Sequence, residues 1–247
     1  MKLSVISSCS EGNCYLLTSS EGSTLILEAG VRFSEIKKAL GFDLKNVVGC
    51  LVSHRHNDHA RCVVWLVKSG IPVYSTIDVF NAKHLVDNCF AHVLQPMRKE
   101  QLQGGFSVTA LSAFHDVPCL AFIVEHKEMG KLLFATDTFK LPYKVTGLNH
   151  LMIECNYQDD VLEWNEEQGR VPLSLRDRLM LTHMEKKTTE KVVKINLSER
   201  LQDITLIHLS ADNSNAEHLQ KDISAVSGLP VYVAKAGLEI ELNYDPY

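Results

Sequence analysis

The stretch Ser53-His54-Arg55-His56-Asn57-Asp58-His59-Ala60 follows directly after an apolar run at residues 47–52. It holds three imidazoles and a carboxylate within six consecutive residues. In an extended segment, residues two apart point the same way, so His54 and His56 can reach one cation from the end of a strand. If the chain then turns into a helix, Asp58 and His59 point to the other side and can hold a second cation. The two cations would lie about 3.5–4 Å apart, the separation typical of two-metal sites.

The ligand types in this stretch indicate which metals would fit. Imidazole nitrogens together with a carboxylate suit Zn, with Fe or Mn as further candidates. The alternative is a polar loop that is rich in histidine by chance, which would require four potential ligands to meet without a function. The stretch therefore predicts a metal site between a strand and a helix.

Three further candidate ligands follow strand-like segments later in the chain. His115 comes after the alternating segment 106–111, Asp137 after the apolar segment 132–135, and His208 after the apolar segment 204–207. The carboxyl ends of buried strands are where open α/β sheets gather their sites. Either histidine taken singly would more often be a packed or surface residue. Their interpretation as ligands beside the first cluster is what the family resemblance described next implies.

The His-x-His-x-Asp-His pattern, placed between a short apolar strand and an amphipathic segment, resembles the signature of the metallo-β-lactamase superfamily. The resemblance implies a dinuclear site completed by His115, by a bridging Asp137 and by His208. It also implies an α+β fold, a four-layer αββα sandwich in which two mixed β-sheets are flanked by helices. We expect this fold to occupy residues 1–247 as a single domain.

Local sequence patterns agree with that architecture. Strand-like runs fall at residues 3–6, 14–17, 24–27 and 49–53, and later at 122–124, 151–154 and 231–234. Helical spacing occurs at residues 33–40, 60–67, 78–86, 188–197 and 215–225. Strand pairs come first and helices punctuate both halves, as expected for two sheets packed face to face with helices outside.

Composition excludes several other classes of protein. The seven cysteines are odd in number and contain no C-x-x-C pair, which argues against a disulfide framework and a structural zinc ribbon. The apolar run at residues 62–67 is far too short to span a bilayer. The first six residues form a strand-like run instead of a secretion signal. We therefore expect a cytoplasmic protein with no membrane association.

A narrower resemblance connects the chain to the WalJ/YycJ-type nucleases, which are relatives of RNase J without the inserted beta-CASP domain. It is carried by residues 8–15, by His115-Asp116 followed by Pro118, and by residues 154–157 and 208–213. The resemblance implies that His183 contacts the scissile phosphate. The chain departs from the usual pattern in two places. Phe139 replaces the glycine that usually follows Thr-Asp-Thr, and residues 182–185 replace Gly-His-Leu-Ser.

The resemblance also implies roles for the ligands in hydrolysis of a phosphodiester. His54, His56 and His115 would hold one metal, Asp58, His59 and His208 would hold the other, and Asp137 would bridge them. Two divalent ions, Zn first and Mn second, would provide a bridging hydroxide for attack on phosphorus. Asp58 would orient or deprotonate the nucleophilic water, and His183 would act as a hydrogen-bond donor or general acid.

The expected substrate is nucleic acid, DNA first, although the formal net charge of −5 counts against a tight grip on duplex. Lysines 186, 187, 191 and 194 would either line one wall of the cleft or form a solvated helix face. No aromatic stacking platform is visible from the sequence. Cleavage near an end or on a single strand is therefore favoured.

Two other functions remain open at this stage. One is a small-molecule hydrolase of the same fold, cleaving a thioester, a lactone or a cyclic nucleotide, which would not need His183. The other is a noncatalytic member that keeps its metals for stability. The sequence leaves the exonuclease or endonuclease mode and the oligomeric state undetermined.

Overall fold

The computed structural model describes residues 1–244, apart from the side chains of residues 173–175. Within that part of the chain, the strands form two seven-stranded sheets. The first sheet contains β1 (Lys2–Cys9), β2 (Gly12–Thr18), β3 (Thr24–Leu27), β4 (Val47–Leu51), β5 (Val73–Ser75), β6 (Ala91–Val93) and β14 (Glu239–Glu241). The second sheet contains β7 (Lys99–Gln101), β8 (Ser107–Ala113), β9 (Cys119–His126), β10 (Gly130–Ala135), β11 (His150–Glu154), β12 (Asp203–Ile207) and β13 (Val231–Val233).

Both sheets are mixed. The first has the order β14-β1-β2-β3-β4-β5-β6, with antiparallel pairing as far as β3 and parallel pairing from β3 to β6. The second has the order β13-β12-β11-β10-β9-β8-β7, parallel from β13 to β10 and antiparallel from β10 to β7. The parallel strands lie side by side, so their carboxyl ends meet at one edge of each sheet.

Helices cover the outer faces of the two sheets. They are α1 (Phe33–Ala39), α2 (Asn57–Ala60), α3 (Val63–Lys68), α4 (Ile77–Ala82), α5 (Asp159–Glu167), α6 (Leu173–Thr182), α7 (Lys186–Asn196) and α8 (Ala216–Ser227), with a 3₁₀ turn at Gln103–Gly105. Among residues 1–244, the longest helices are too short and too polar to cross a membrane.

Three apolar layers hold the sheets and five of the helices together, and a small fourth cluster of Tyr157, Leu162 and Val171 packs α5. The central layer lies between the sheets and joins residues such as Leu17 and Leu27 of the first sheet to Phe122 and Phe134 of the second. A second layer packs α1, α3 and α4 against the first sheet, and a third packs α7 and α8 against the second. The arrangement is the predicted four-layer αββα sandwich, which is confirmed.

The helices depart from the sequence prediction in three places. The segment predicted at residues 60–67 is divided between α2 and α3, and the one predicted at residues 78–86 ends at Ala82. His84, two residues later, has a positive φ of 55° and so cannot continue the helix. Helices α5 and α6 were not predicted. In α6 apolar residues occur on all sides, so its sequence lacks the one-sided spacing by which a helix is recognised.

Candidate metal centre

The predicted ligands meet at one edge shared by the two sheets. Each comes directly after the carboxyl end of a strand or from the short helix that follows β4. The loop after β4 carries His54 and His56, α2 carries Asp58 and His59, and the loops after β8, β10 and β12 carry His115, Asp137 and His208. The structure brings together all seven residues.

The first group of ligand atoms consists of three imidazoles. Nε2 of His54 lies 3.0 Å from Nδ1 of His56, and Nε2 of His115 lies 3.3 Å from the same Nδ1 atom. All three nitrogens lie within 4.8 Å of one another. The loop after β4 bends at Arg55 and His56 and brings the rings of His54 and His56 together, with their centroids 4.6 Å apart.

The second group combines imidazoles with carboxylates. Oδ2 of Asp58 lies 3.2 Å from Nε2 of His59 and 3.5 Å from Nε2 of His208. Oδ1 of Asp137 lies 3.2 Å from Nε2 of His59 and 3.6 Å from Nε2 of His208. Four side chains thus surround one point beside the first group.

Asp137 lies between the two groups. Its Oδ1 faces the second group, whereas its Oδ2 lies 3.9 Å from Nε2 of His54 and 4.0 Å from Nε2 of His115. The side chain is almost completely buried and the residue has a positive φ of 40°. A left-handed backbone in a non-glycine residue costs about 1–3 kcal/mol and is retained where the surroundings impose it. The strained backbone aims one carboxylate oxygen at each group.

The donor set fits divalent cations. Within residues 1–244, Nε2 of His208 is a buried ring nitrogen without a hydrogen-bond partner, and it points at the oxygens of Asp58 and Asp137. A buried polar atom left unpaired is costly unless something satisfies it. Neutral imidazole and carboxylate are ligands for Zn and Mn, and a metal ion would satisfy this nitrogen.

The ring nitrogens on the far sides of the first group are held by polar contacts. Nδ1 of His54 lies 2.9 Å from the hydroxyl oxygen of Ser53. Nδ1–H of His115 donates to the carbonyl oxygen of Thr182 at 2.9 Å. Such partners fix the orientation and tautomer of a ligating histidine. The contact with Thr182 also attaches the end of α6 to the site.

In the second group, buried carboxylates hold the far sides of the rings. Oε2 of Glu28 lies 3.4 Å from Nδ1 of His59, and Glu28 also accepts the backbone N–H of Ser53 at 3.2 Å. Nδ1 of His208 lies 3.1 Å from Nδ2 of Asn156 and 3.4 Å from Oε1 of Glu154. These contacts orient the Nε2 atoms toward Asp58 and Asp137.

The backbone around α2 is packed without spare room. A Cβ atom on Gly30 would lie only 1.6 Å from the backbone oxygen of Asp58. The N–H of Ala29 donates to the carbonyl oxygen of His59 at 2.8 Å, and Nδ2 of Asn13 lies 3.2 Å from Nε2 of His59. Glycine is required here because the loop after β3 touches the ligand helix.

Charge and burial act differently on the two groups. Burial lowers the pKa values of His54 and His115, which favours the neutral form that ligates. Burial alone would also lower the pKa of His208, but the carboxylates led by Asp137 raise it to about 10. Burial would raise the pKa of Asp137, yet the facing His208 and His59 hold it well below its usual range. The second group is therefore a charge-paired cluster.

His183 is part of the site and not a surface residue. Its ring is parallel to that of His208, at an angle of 11° and a centroid distance of 5.3 Å. Nδ1–H donates to Oε1 of Glu154 at 2.6 Å. Burial would lower the pKa of His183, but the Glu154 carboxylate raises it above its usual value. The ring lies at the end of α6, beside both ligand groups.

Two buried acids at the site were missed from the sequence. Glu154 accepts the backbone N–H groups of Thr138 and Met184 and the ring Nδ1–H of His183, and Glu28 supports His59. Glu28 directly follows β3 and Glu154 is the last residue of β11, so both acids lie at the carboxyl end of an apolar strand, as the predicted ligands do. That position was the available signal.

Three of the four lysines of α7 pair with acids and do not form a free basic wall. Nζ of Lys186 pairs with Asp222 at 2.8 Å, and Nζ of Lys187 pairs with Asp159 at 2.9 Å. Lys194 lies 3.9 Å from Glu190. Because acids already neutralise these charges, this face is better described as the solvated helix face.

A family model described as the metallo-beta-lactamase superfamily matches residues 8–149. The match covers more than half of the chain, so the protein belongs to the metallo-beta-lactamase superfamily. Together with the clustered histidine and aspartate ligands, this makes the protein a metal-dependent hydrolase.

Three known proteins are similar to this chain over most of its length. The chain is 26% identical over 239 residues to exodeoxyribonuclease YycJ of Bacillus anthracis, covering 92% of this chain and 89% of that protein. The resemblance to WalJ/YycJ-type nucleases is thus confirmed. The metallo-beta-lactamase fold protein YhfI from Bacillus subtilis has a TM-score of 0.72 and 18% identity, covering 97% of this chain and 98% of that one. Zn²⁺-bound PqqB from Methylobacterium extorquens has a TM-score of 0.71 and 13% identity, covering 98% of this chain and 100% of that one. These two likenesses show the shared fold.

Proposed function

We propose that this protein is a two-metal phosphodiesterase that cleaves nucleic acid, with DNA as the expected polymer. The observation that carries the proposal is the position of Asp137, whose two oxygens face two separate groups of ligand atoms. Such a pair of adjacent groups suits the two-metal hydrolysis of a phosphodiester. The likeness to an exodeoxyribonuclease supports the choice of substrate.

The proposed ligands are those expected from the sequence. His54, His56 and His115 would hold one divalent ion, and Asp58, His59 and His208 the other, with Asp137 shared between them. Zn is the first candidate and Mn the second. When bound, the two ions would lower the pKa of a water molecule toward 7 and neutralise negative charge that develops on the phosphate.

Asp58 is proposed to orient the attacking water and to accept its proton. The Asp58 side chain is 22% exposed, whereas the Asp137 side chain is 3% exposed, so Asp58 faces the cleft more openly. Partial burial would raise the pKa of Asp58, but hydrogen bonds from His208 and His59 hold it well below its usual value, so the carboxylate is deprotonated. A carboxylate within hydrogen-bond reach of water is suited to this role.

His183 is proposed to donate to the phosphate or to protonate the leaving oxygen. Glu154 occupies Nδ1 of His183, which leaves Nε2 as the ring nitrogen available to substrate. The Glu154 carboxylate also fixes the ring beside the ligand groups, since it accepts two backbone N–H groups of neighbouring loops. A positioned donor of this kind stabilises charge on nonbridging phosphate oxygens.

The contact between His183 and Glu154 favours the nuclease over the alternative small-molecule hydrolase. A thioester or lactone hydrolase of this fold would use the metal ligands but would have no need of a donor at His183. The buried pair of His183 and Glu154 is costly to keep without a role, because an ion pair removed from water loses hydration. This observation supports the phosphodiester as the reacting group.

The test begins with metal content and end-labelled nucleic acids. Zn- and Mn-loaded protein would be incubated with single- and double-stranded DNA and RNA, beside Asp58→Ala and a matched surface variant, Asp222→Ala. We expect cleavage that is lost in Asp58→Ala and retained in Asp222→Ala, whose side chain pairs with Lys186 on the outer helices. The proposal would be overturned if the protein bound about two metals and hydrolysed a thioester or a lactone but cleaved none of the polymers.

A further inference from the structure

The loops that carry His115 and Asp137 also carry an aromatic pair that the metal centre does not use. Phe114 precedes His115, and Phe139 lies two residues after Asp137. The two phenyl rings meet edge to face with their centroids 6.0 Å apart. The backbone N–H of Phe139 donates to the carbonyl oxygen of Phe114 at 3.1 Å, and that of Phe114 donates to Thr138 at 2.9 Å. The pair is therefore built into the contact between two ligand loops.

Lys140 adds a cation to this pair. Its Nζ lies 4.2 Å from the ring centroid of Phe114 and 5.2 Å from that of Phe139. Lys140 is exposed, whereas both rings are partly buried. Among residues 1–244, the contacts found for its ammonium group are these two rings, and none is an ion pair. Its charge thus remains available, unlike those of Lys186 and Lys187, which acids neutralise.

Rings and an uncompensated cation beside a hydrolytic site match the needs of single-stranded nucleic acid. Proteins hold single strands by stacking bases on aromatic side chains and by pairing lysine or arginine with the phosphates. In a duplex the bases are already stacked on each other, so an aromatic pair adds nothing to duplex binding. The net charge of −5 likewise disfavours binding of a long duplex through its phosphates alone.

We propose that Phe114, Phe139 and Lys140 form a binding surface for one nucleotide of a single strand next to the metal centre. The base contacts the two phenyl rings, and the ammonium group of Lys140 pairs with the adjoining phosphate. This inference rests on the proposed nuclease function and adds that the strand is unpaired at the site.

The test measures binding of a fluorescein-labelled single strand of about 12 nucleotides, within the site size of single-strand-binding proteins. Phosphorothioate linkages slow its cleavage, and the zinc-loaded protein is titrated by fluorescence anisotropy at several salt concentrations. In Lys140→Gln the slope of log K against log salt should become shallower by about 0.7, the value for one phosphate contact on a single strand. Lys140→Arg should retain the slope of the unaltered protein.

The aromatic pair is tested by substitutions that stay close to the size of phenylalanine. Phe139→Leu should weaken binding about tenfold, as expected for a lost base–aromatic stack, whereas Phe139→Tyr should retain it. Lys127→Gln is the matched lysine control, since Lys127 is exposed, pairs with Glu21 and follows the end of β9 farthest from the ligands. If Phe139→Leu loses its circular dichroism signal, the exposed Lys140 decides the outcome.

The outcomes separate this surface from the nuclease function. Suppose that the unaltered protein binds and cleaves single strands and that Lys140→Gln and Phe139→Leu behave identically to it. The proposed binding surface is then refuted, and the nuclease function stands. Tighter binding to blunt duplex than to a single strand would also overturn the surface. If the unaltered protein neither binds nor cleaves any strand, the proposed function fails and this inference fails with it.

Discussion

Replacing Glu154 by glutamine tests the network that holds His183 in place. Glu154 is fully buried, and its carboxylate accepts the backbone N–H of Thr138 at 3.0 Å and that of Met184 at 3.2 Å. It also accepts Nδ1–H of His183 at 2.6 Å. Glutamine has nearly the same shape but only one accepting oxygen and no charge.

The expected loss of stability follows from these three contacts. A hydrogen bond to a charged group contributes about 1.5–3 kcal/mol, against about 0.5–1.5 kcal/mol for a neutral pair. Weakening three contacts by about 1 kcal/mol each predicts a fall of about 3 kcal/mol in the free energy of unfolding. In a chain of this length 1 kcal/mol shifts Tm by about 2–4 °C, so the variant should melt about 6–12 °C lower.

The catalytic effect has a separate cause. The single oxygen of glutamine is best placed on the side of the two backbone N–H groups, so its amide group faces His183. His183 must then accept a hydrogen bond at Nδ1 and remain neutral, which leaves it able to donate a hydrogen bond but not to give up a proton. Loss of a general acid predicts a fall in kcat of about 10²–10³-fold. Glu154 also holds the ring of the proposed ligand His208, so metal affinity should weaken, and cleavage is therefore compared at saturating zinc with metal content measured alongside.

The assays are thermal unfolding by circular dichroism with a chelator present, metal analysis by mass spectrometry, and cleavage of a labelled single strand. Glu163→Gln is the matched control, since the Glu163 side chain is 62% exposed and lies 4.0 Å from Arg176. We expect the control to match the unaltered protein in all three assays. If Glu154→Gln also matched the unaltered protein in melting and in cleavage, the proposed role of Glu154 in holding His183 would be refuted.

Three further predictions concern the metal centre and its surroundings. Asp137→Asn removes the charge that faces both ligand groups, so metal content by mass spectrometry should fall from about two equivalents to one or fewer; two retained equivalents would contradict the bridging role. Burial raises the thiol pKa of Cys62 and of Cys155 to about 12, so at about pH 8 both should resist alkylation while the exposed Cys89 reacts. Rapid labelling of either buried thiol, mapped by peptide mass, would disprove this protection. Gly30→Ala places a methyl group 1.6 Å from a backbone oxygen of α2, so urea unfolding should show a loss of about 3 kcal/mol or more together with weaker zinc binding; unchanged values would show that the loop can move aside.

The fold was accessible from the sequence because its signals are local. The alternating and apolar runs predicted the strands that surround the site, and the spacing of Ile36 with its neighbours predicted α1. Helix α6 was missed because its apolar residues do not lie on one side. The end of α4 was misplaced because the left-handed turn at His84 has no strong marker in that residue type.

The candidate site also has residues that the sequence predicted and residues that it did not. The seven proposed ligands could be named in advance, because their side chains are of the type that metals bind and because the first cluster resembles a family in which a later His, Asp and His complete the site. Their assignment to two ions stays a prediction. Glu28 and Glu154 escaped notice because an acid after an apolar strand is equally at home on a surface, and only burial of the carboxylate reveals its use.

The sequence by itself determined the strands around the site, because side-chain periodicity acts over a few residues, and its family resemblance implied the layered architecture and the order of the proposed ligands. Only the tertiary structure decided which distant groups meet. Glu154 and His183 are 29 positions apart in the chain, and the ring pair of Phe114 and Phe139 exists only where two loops touch. Whether the charge of Lys140 is free to pair with a phosphate likewise depends on the side chains that surround it. Contacts of this kind depend on the packing of whole sheets, which no short stretch of sequence contains.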